Sequence, residues 1–282
     1  MKVFKFGGAS VKDATAVKNM SSINQKNQAS PLVVIVSAMA KTTNALENLL
    51  ALTMAEEDTT GAFIQLKAFH SGIVKELAID HDEELDKFLN QTYEDLQNHL
   101  SKFSSSLGYD YIYDQTVSTG ELLSTKIIAT YLNHNQIPTS WLDARKVVKT
   151  DMVHRAARVD WGATQNFIRS HVSQLKDQGI VISQGFIGSN AKFDTTTLGR
   201  EGSDFTGAIF ATALSAESLT IWKDVPGELN ADPKKFADTK KYDQLPYKEA
   251  AEMTYYGASV IHPKTIKPLA QKDIPLYVKS FE

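Results

Sequence analysis

The feature that most constrains this chain is a set of short runs of consecutive apolar, β-favouring residues, of which Leu32-Val33-Val34-Ile35-Val36 is the purest. A strand wetted on one face alternates apolar and polar side chains, so a strand apolar at every position has to be covered on both faces. Comparable runs recur at Val3 to Phe6, Leu32 to Ser37, Pro138 to Leu142, Ile180 to Gln184, Leu219 to Trp222 and Ile274 to Val278, separated by segments of helical periodicity. That alternation predicts an α/β fold with a largely parallel central sheet covered by helices. From about residue 43 to 106 the periodicity is helical throughout, with Leu85, Phe88, Leu89 and Leu96 on one stripe, which predicts a helical insertion. Its acidic run, Asp80 to Glu84, reads as a solvated helix start favoured by the N-terminal dipole rather than as a metal site.

With 282 residues, 42% of them hydrophobic, the chain can bury a substantial core as one large domain or two lobes. A formal net charge of -3 gives no overall attraction to nucleic acid or to an anionic membrane, so binding has to be read from local sites. The absence of cysteine excludes disulfides, thiolate metal sites and cysteine nucleophiles, and fits a reducing cytoplasm. The N-terminus reaches Gly7-Gly8 before any apolar segment of secretory length, and no later run approaches a membrane span, so a cytoplasmic chain is expected.

Three clusters carry chemistry. Lys5-Phe6-Gly7-Gly8-Ala9-Ser10 follows the first predicted strand and precedes a helix, where glycines bring backbone N–H groups close to an anion and Lys5 adds a cation; such a glycine pair is also often purely structural. Thr195 to Thr206 gathers hydroxyls, Gly199, Arg200, Gly202, Ser203 and Asp204 at a helix start expected from Ser203 or Asp204. It reads either as a polar loop capping a helix or as a site in which Arg200 holds a carboxylate or phosphate and Asp204 orders a cation. Trp222-Lys223-Asp224-Val225-Pro226-Gly227, with Lys234 downstream, follows a strand; it reads as a solvated turn or as a nucleotide loop at the carboxyl end of a parallel strand.

In this order and spacing the clusters resemble the amino-acid kinase superfamily, and within it the catalytic domain of aspartokinases. The resemblance also covers Val36-Ser37-Ala38 with Thr43-Asn44, Ser118-Thr119-Gly120-Glu121, Gln184-Gly185-Phe186-Ile187-Gly188, Thr196-Thr197-Leu198-Gly199-Arg200, and Tyr256-Gly257-Ala258 with His262-Pro263. It implies a three-layer αβα sandwich, with an amino-acid lobe to about residue 195 and an ATP lobe from about 196 to 282, and transfer of the γ-phosphate of ATP, with Mg²⁺, to the side-chain carboxylate of L-aspartate. By similarity, Lys5, Gly7, Gly8 and Ser10 face the ATP phosphates, and Thr43, Glu121, Arg200 and Ser203 bind aspartate. Lys5 and Asp204 organise catalysis, and Lys223, Asp224, Leu229 and Lys234 bind the nucleotide. The resemblance further implies a homodimer.

The same resemblance exposes three departures. Ala9 stands where the family usually has Thr, and Lys223 where it has a small hydroxyl residue. Ser259 stands where many relatives carry a phosphate-contacting Lys, so another cation is expected to replace it, with Lys264 the candidate and Lys223 or Lys234 the alternatives. Paired ACT domains follow the catalytic domain of aspartokinases; the chain ends at Lys279-Ser280-Phe281-Glu282, so neither they nor lysine or threonine feedback is expected within it. Competing expectations are a superfamily enzyme acting on glutamate, acetylglutamate, carbamate or a nucleoside monophosphate, or a catalytically weak nucleotide-binding module. Glu121 and Arg200 favour a free amino acid, because an acylated or nucleotide substrate has no ammonium to pair.

Overall fold

The computed structural model describes residues 1–27, 30–102, 108–225, 227, 229–230, 238–255 and 261–282. In chain order the elements are β1 (Lys2–Phe6), α1 (Ala14–Gln25), β2 (Leu32–Val36), α2 (Thr42–Met54), α3 (Thr60–Glu76), α4 (Glu83–Ser101), α5 (Tyr109–Val117), α6 (Thr119–His134), β3 (Thr139–Leu142), α7 (Ala144–Val147), α8 (Trp161–Leu175), β4 (Ile180–Gln184), β5 (Ile187–Ser189), β6 (Thr195–Thr197), α9 (Gly202–Leu214), β7 (Ser218–Lys223), α10 (Tyr247–Tyr255), α11 (Pro263–Ala270) and β8 (Leu276–Ser280).

Among the described residues six strands form one sheet in the order β3-β4-β2-β1-β7-β8, every neighbouring pair parallel. The pleat sorts the consecutive apolar residues between two cores. Phe4, Phe6, Val34, Val36 and Ile182 point to a layer that includes Val17 and Met20 of α1, Leu46 and Leu49 of α2, Leu85 and Leu96 of α4, and Leu123 and Ile127 of α6. Val3, Val33, Ile35, Val181, Leu219 and Ile221 point to Ile168 and Val172 of α8, Ile209 and Phe210 of α9, and Ile266 and Leu269 of α11. The result is an αβα sandwich.

The helical stretch after β2 is the trio α2, α3 and α4, all packed on the first face. The acidic run is the start of α4: Asp82 caps it by accepting from the Leu85 N–H, and Glu83, Glu84 and Asp86 occupy its first turn.

Three local expectations are corrected. Thr195–Thr197 is not loop but the strand β6, antiparallel to β5, because its hydroxyl-bearing side chains are buried and satisfied by hydrogen bonds such as Thr150–Thr196 and Thr197–Asp114. The last strand begins at Leu276 rather than Ile274, whose N–H instead closes the turn after α11 on the Leu269 carbonyl. The glycine loop runs first into a short 3-10 turn, Gly8–Val11, and α1 begins only at Ala14 under the cap of Asp13. No helix among the described residues is long and apolar enough to cross a membrane.

In the sheet β2 and β7 flank β1 on opposite sides, and the register sets Phe6 level with both Val36 and Trp222. Crossovers that leave a central strand in opposite directions open a crevice outside the carboxyl ends of the strands, the usual ligand position in open α/β sheets.

Candidate active site

A cleft of about 450 Å³ occupies that crevice, lined among others by Lys5, Gly8, Ser37, Ala38, Thr43, Glu121, Arg200, Ser203 and Asp204. Its floor depends on close backbone approach. A Cβ on Gly8 would stand 2.8 Å from the Ala38 carbonyl oxygen, and one on Gly185 would stand 2.6 Å from the Ser203 Cβ. Only glycine lets the end of β1 meet the 38–40 segment and the end of β4 meet the start of α9. Ser10 ties the glycine loop to β7 by donating its hydroxyl to the Trp222 carbonyl at 3.2 Å, and Gly7 caps the 3-10 turn.

Helix α9 opens on the cleft. Its cap residue, Glu201, has left-handed backbone (φ 55°) and makes no side-chain cap, so the first-turn amides carry no side-chain acceptor from that residue. An uncapped helix start of this kind favours an anion. Asp204, 1% exposed, sits in this first turn and holds two ammonium groups: Lys5 Nζ is 2.7 Å from Oδ1 and Lys223 Nζ is 3.2 Å from Oδ2. Burial pushes the Asp204 pKa upward, but the positive charges of Lys5 and Lys223 outweigh it and hold the carboxyl below the usual range. The cluster is therefore one carboxylate against two cations, a net positive centre where the ends of β1 and β7 meet the start of α9.

Glu121 enters from the first turn of α6 and is 3% exposed. One oxygen accepts from the Ala38 N–H at 3.3 Å; the other, Oε2, has no hydrogen-bond partner among the described residues. Burial pushes this carboxyl up to about 8, against the opposing pull of the Ala38 N–H and the Lys5 charge. A buried, orphaned acceptor beside a cavity is expensive unless a ligand completes it.

The structure thus brings Lys5, Thr43, Glu121, Arg200, Ser203 and Asp204 onto one cleft, with Lys223 attached through Asp204. Of the other residues singled out in the sequence, Asp224 is exposed beyond the end of β7, and Leu229 pairs with Lys241 in an isolated antiparallel bridge. Lys264 does not line the cleft; its ammonium donates to the Leu198 carbonyl at 3.3 Å, at the base of the Gly199–Arg200 turn, and lies 6.0 Å from the Phe205 ring. Lys234 and Ser259 lie outside the described residues.

Sequence reasoning missed Tyr113 and Arg155, which also line the cleft, and gave no role to Glu201, a lining residue within the Thr195 to Thr206 cluster. Phe186, another lining residue, stood in a motif already noted but without a role. Arg155 lies in an irregular polar loop where no periodicity points to a cleft, and Tyr113 looks like an ordinary helix aromatic; only the packing of α5 against β6 brings both to the site. No group of three or more His, Cys, Asp or Glu among the described residues is placed to hold a metal ion by itself.

Fold and cleft together define an open α/β protein with an anion-binding crevice, where a glycine loop, paired lysines and an uncapped helix start converge. The sequence matches the amino acid kinase family over residues 1–280, and the chain belongs to that family. It is 35% identical to the lysine-sensitive aspartokinase 3 of Escherichia coli over 99% of its own length and 61% of that protein's. It is 33% identical to the aspartokinase of Chlamydia muridarum, covering 99% of this chain and 60% of that one. The structure of E. coli aspartokinase III in complex with aspartate and ADP superposes with a TM-score of 0.91 at 33% identity, over 100% of this chain and 62% of the other. The chain therefore spans about three-fifths of the length of these relatives.

Proposed function

We propose that this chain transfers the γ-phosphoryl group of ATP to the side-chain carboxylate of L-aspartate, giving 4-phospho-L-aspartate. The observation that carries the reading is the orphaned Oε2 of Glu121, a buried acceptor that asks for an ammonium, in the same cleft as Arg200 and Lys5. Glu121 takes the α-ammonium, Arg200 with Ser203 and Thr43 takes the α-carboxylate, and the side-chain carboxylate is left toward Lys5. The 33% identical aspartokinase III of E. coli, whose structure holds aspartate and ADP, supports the choice of substrate and nucleotide.

The chemistry suits the equipment. An aspartate side chain is already ionised at neutral pH, so no general base is needed. A carboxylate oxygen forms a bond to the γ-phosphorus as the bond from that phosphorus to the β,γ-bridging oxygen breaks, and the electron pair leaves with ADP. The barrier is the approach of two anions, which calls for fixed positive charge and positioning. Lys5 and Lys223, held in place by Asp204, supply the charge, and the glycine loop and the start of α9 supply backbone N–H groups. Magnesium is held mainly by phosphate oxygens and water, so it would arrive on the nucleotide, since both oxygens of Asp204 are already taken by Lys5 and Lys223. It would add further neutralisation of phosphate charge.

The nucleotide itself is assigned to Gly7, Gly8 and Ser10 of the glycine loop and to Lys223, Asp224, Leu229 and Lys234 of the C-terminal lobe, and Lys264 to the rear of the Arg200 turn. A cytoplasmic homodimer belongs to the same reading. An ADP-release assay against L-aspartate, L-glutamate, N-acetyl-L-glutamate, carbamate and UMP tests it. Turnover is expected with aspartate foremost; preference for the acetylated or nucleotide substrate would overturn the assignment of Glu121, and ATP binding without turnover on any of them would favour a nucleotide-binding module.

A further inference from the structure

Arg155 combines features that a solvated loop residue does not need. It is not glycine, yet its backbone is left-handed (φ 63°), a conformation that strains a side-chain-bearing residue and persists only where surroundings impose it. What imposes it is Asp114, fully buried on α5. Asp114 accepts from the Arg155 N–H with both oxygens (3.2 and 3.0 Å), from the Thr197 N–H at 3.0 Å and the Thr197 hydroxyl at 2.7 Å, and pairs with His154 Nδ1 at 3.0 Å. One carboxylate thus fastens the 154–155 loop to the end of β6, three residues before Arg200. The Arg155 backbone runs beside the same turn: a Cβ on Gly199 would lie 3.0 Å from its carbonyl oxygen.

The guanidinium, on a side chain 47% exposed, is seated by contacts of its own. It packs over the rings of Tyr113 and Tyr109 at 4.6 and 5.2 Å, and Tyr113 is in turn fixed by its hydroxyl on Glu47 at 2.7 Å. Its side-chain hydrogen bond among the described residues is a single one, from Nη1 to Asp110 at 3.2 Å, although a guanidinium carries five N–H donors in a rigid fork. Arg155 nevertheless lines the cleft together with Arg200.

We propose that Arg155 is a second guanidinium for the α-carboxylate of the amino-acid substrate and the residue that sets its reach. The inference rests on the function proposed above. The buried carboxylate of Asp114 holds the Arg155 backbone directly and the end of β6 three residues before Arg200, which sets that end of the cleft, while Lys5 and Asp204 fix the other end on β1 and α9. A substrate longer by one methylene then presents its reacting carboxylate about 1 Å or more out of place, which is enough to lower turnover about a hundredfold. Arg155 is in this sense a specificity determinant for the shorter dicarboxylic amino acid.

The left-handed backbone supplies its own folding control, because glycine accepts that conformation without strain. In Arg155→Gly the melting temperature should stay level or rise, KM for L-aspartate should rise about tenfold or more with KM for ATP within about twofold, and the preference for aspartate over glutamate should narrow. Arg155→Asn, which also tolerates left-handed backbone, should repeat the result, and Arg155→Lys should recover part of the aspartate affinity but not the discrimination. An aspartate KM within about twofold of wild type in both uncharged variants, with melting temperature preserved, overturns the proposal. If the wild type takes glutamate rather than aspartate, the function proposed above fails while Arg155 is scored on glutamate; if it takes neither, both fail.

Discussion

Lys223 Nζ lies 3.2 Å from Asp204 Oδ2, on the opposite oxygen from Lys5. The sequence left open which cation makes good the absence of a lysine at position 259, with Lys264 as the first candidate. Its contact with the Leu198 carbonyl puts Lys264 outside the lining of the cleft, whereas Lys223 shares the carboxylate that organises it. Replacing Lys223 by Met, which keeps the bulk of the stem and removes the charge, should lower kcat by about 10²–10³. Lys264→Ala should leave kcat within about threefold of wild type. Steady-state kinetics at saturating aspartate decide it, and the reverse ranking would return the role to Lys264.

Glu121 makes substrate binding pH-dependent. Its carboxyl is pushed up to about 8 by burial, so the empty cleft holds a proton there at pH 7, and an arriving ammonium must expel it. Calorimetric titration of aspartate at pH 7 in buffers of different ionisation enthalpy should show release of about one proton, absent in Glu121→Gln. Affinity should rise with pH until about 8 and then level. For stability the sign is opposite: the folded state keeps a proton that the unfolded state gives up, so the contribution is full below the ordinary value of 4.5 and is lost as pH rises to about 8. Glu121→Gln should therefore be more stable than wild type at pH 8 and close to it at pH 4.5. Wild-type binding with no proton released would contradict the protonated empty site.

Arg200 is exposed at the rim of the cleft and makes no ion pair among the described residues. Arg200→Ala should raise KM for aspartate by about 10- to 100-fold, the loss of one charge-assisted contact, with KM for ATP little changed. An equal rise for both substrates would show that Arg200 serves the nucleotide.

The approach of β4 to α9 has no room for a methyl group. In Gly185→Ala the new Cβ would stand 2.6 Å from Ser203 Cβ and 2.9 Å from Ser203 Cα, so the first turn of α9 must shift. Overpacking of this kind costs about 1–3 kcal/mol, and here it also displaces Asp204 from its lysines. Chemical denaturation should show the loss in stability and kinetics a larger loss in kcat; wild-type values for both would mean that the turn yields freely.

The sequence alone determined the layers and much of the cleft. Runs such as Leu32 to Val36 had to be sheet covered on both faces, and five of the six strand cores and the helices α2 to α4 fell where periodicity put them, because burial is a local pattern repeated along the chain. The glycine loop, Arg200 and Asp204 were legible because tight turns and clusters of glycine, hydroxyl and charge use few residue types, and Glu121 was legible through the family resemblance. Tertiary structure decided what depends on distant segments meeting. That Lys223 reaches Asp204 follows from β7 lying beside β1, and no spacing in the chain, 19 residues from one to the other, encodes it. The strand at Thr195–Thr197 looked like polar loop until β5 and Asp114 supplied partners for its hydroxyls. Arg155 became part of the site only through a carboxylate 41 residues away that holds its backbone in a conformation its own sequence disfavours. Local pattern sets which side chains are buried; which charges face one another is settled by the order of strands in the sheet and by the contacts that seat loops between them.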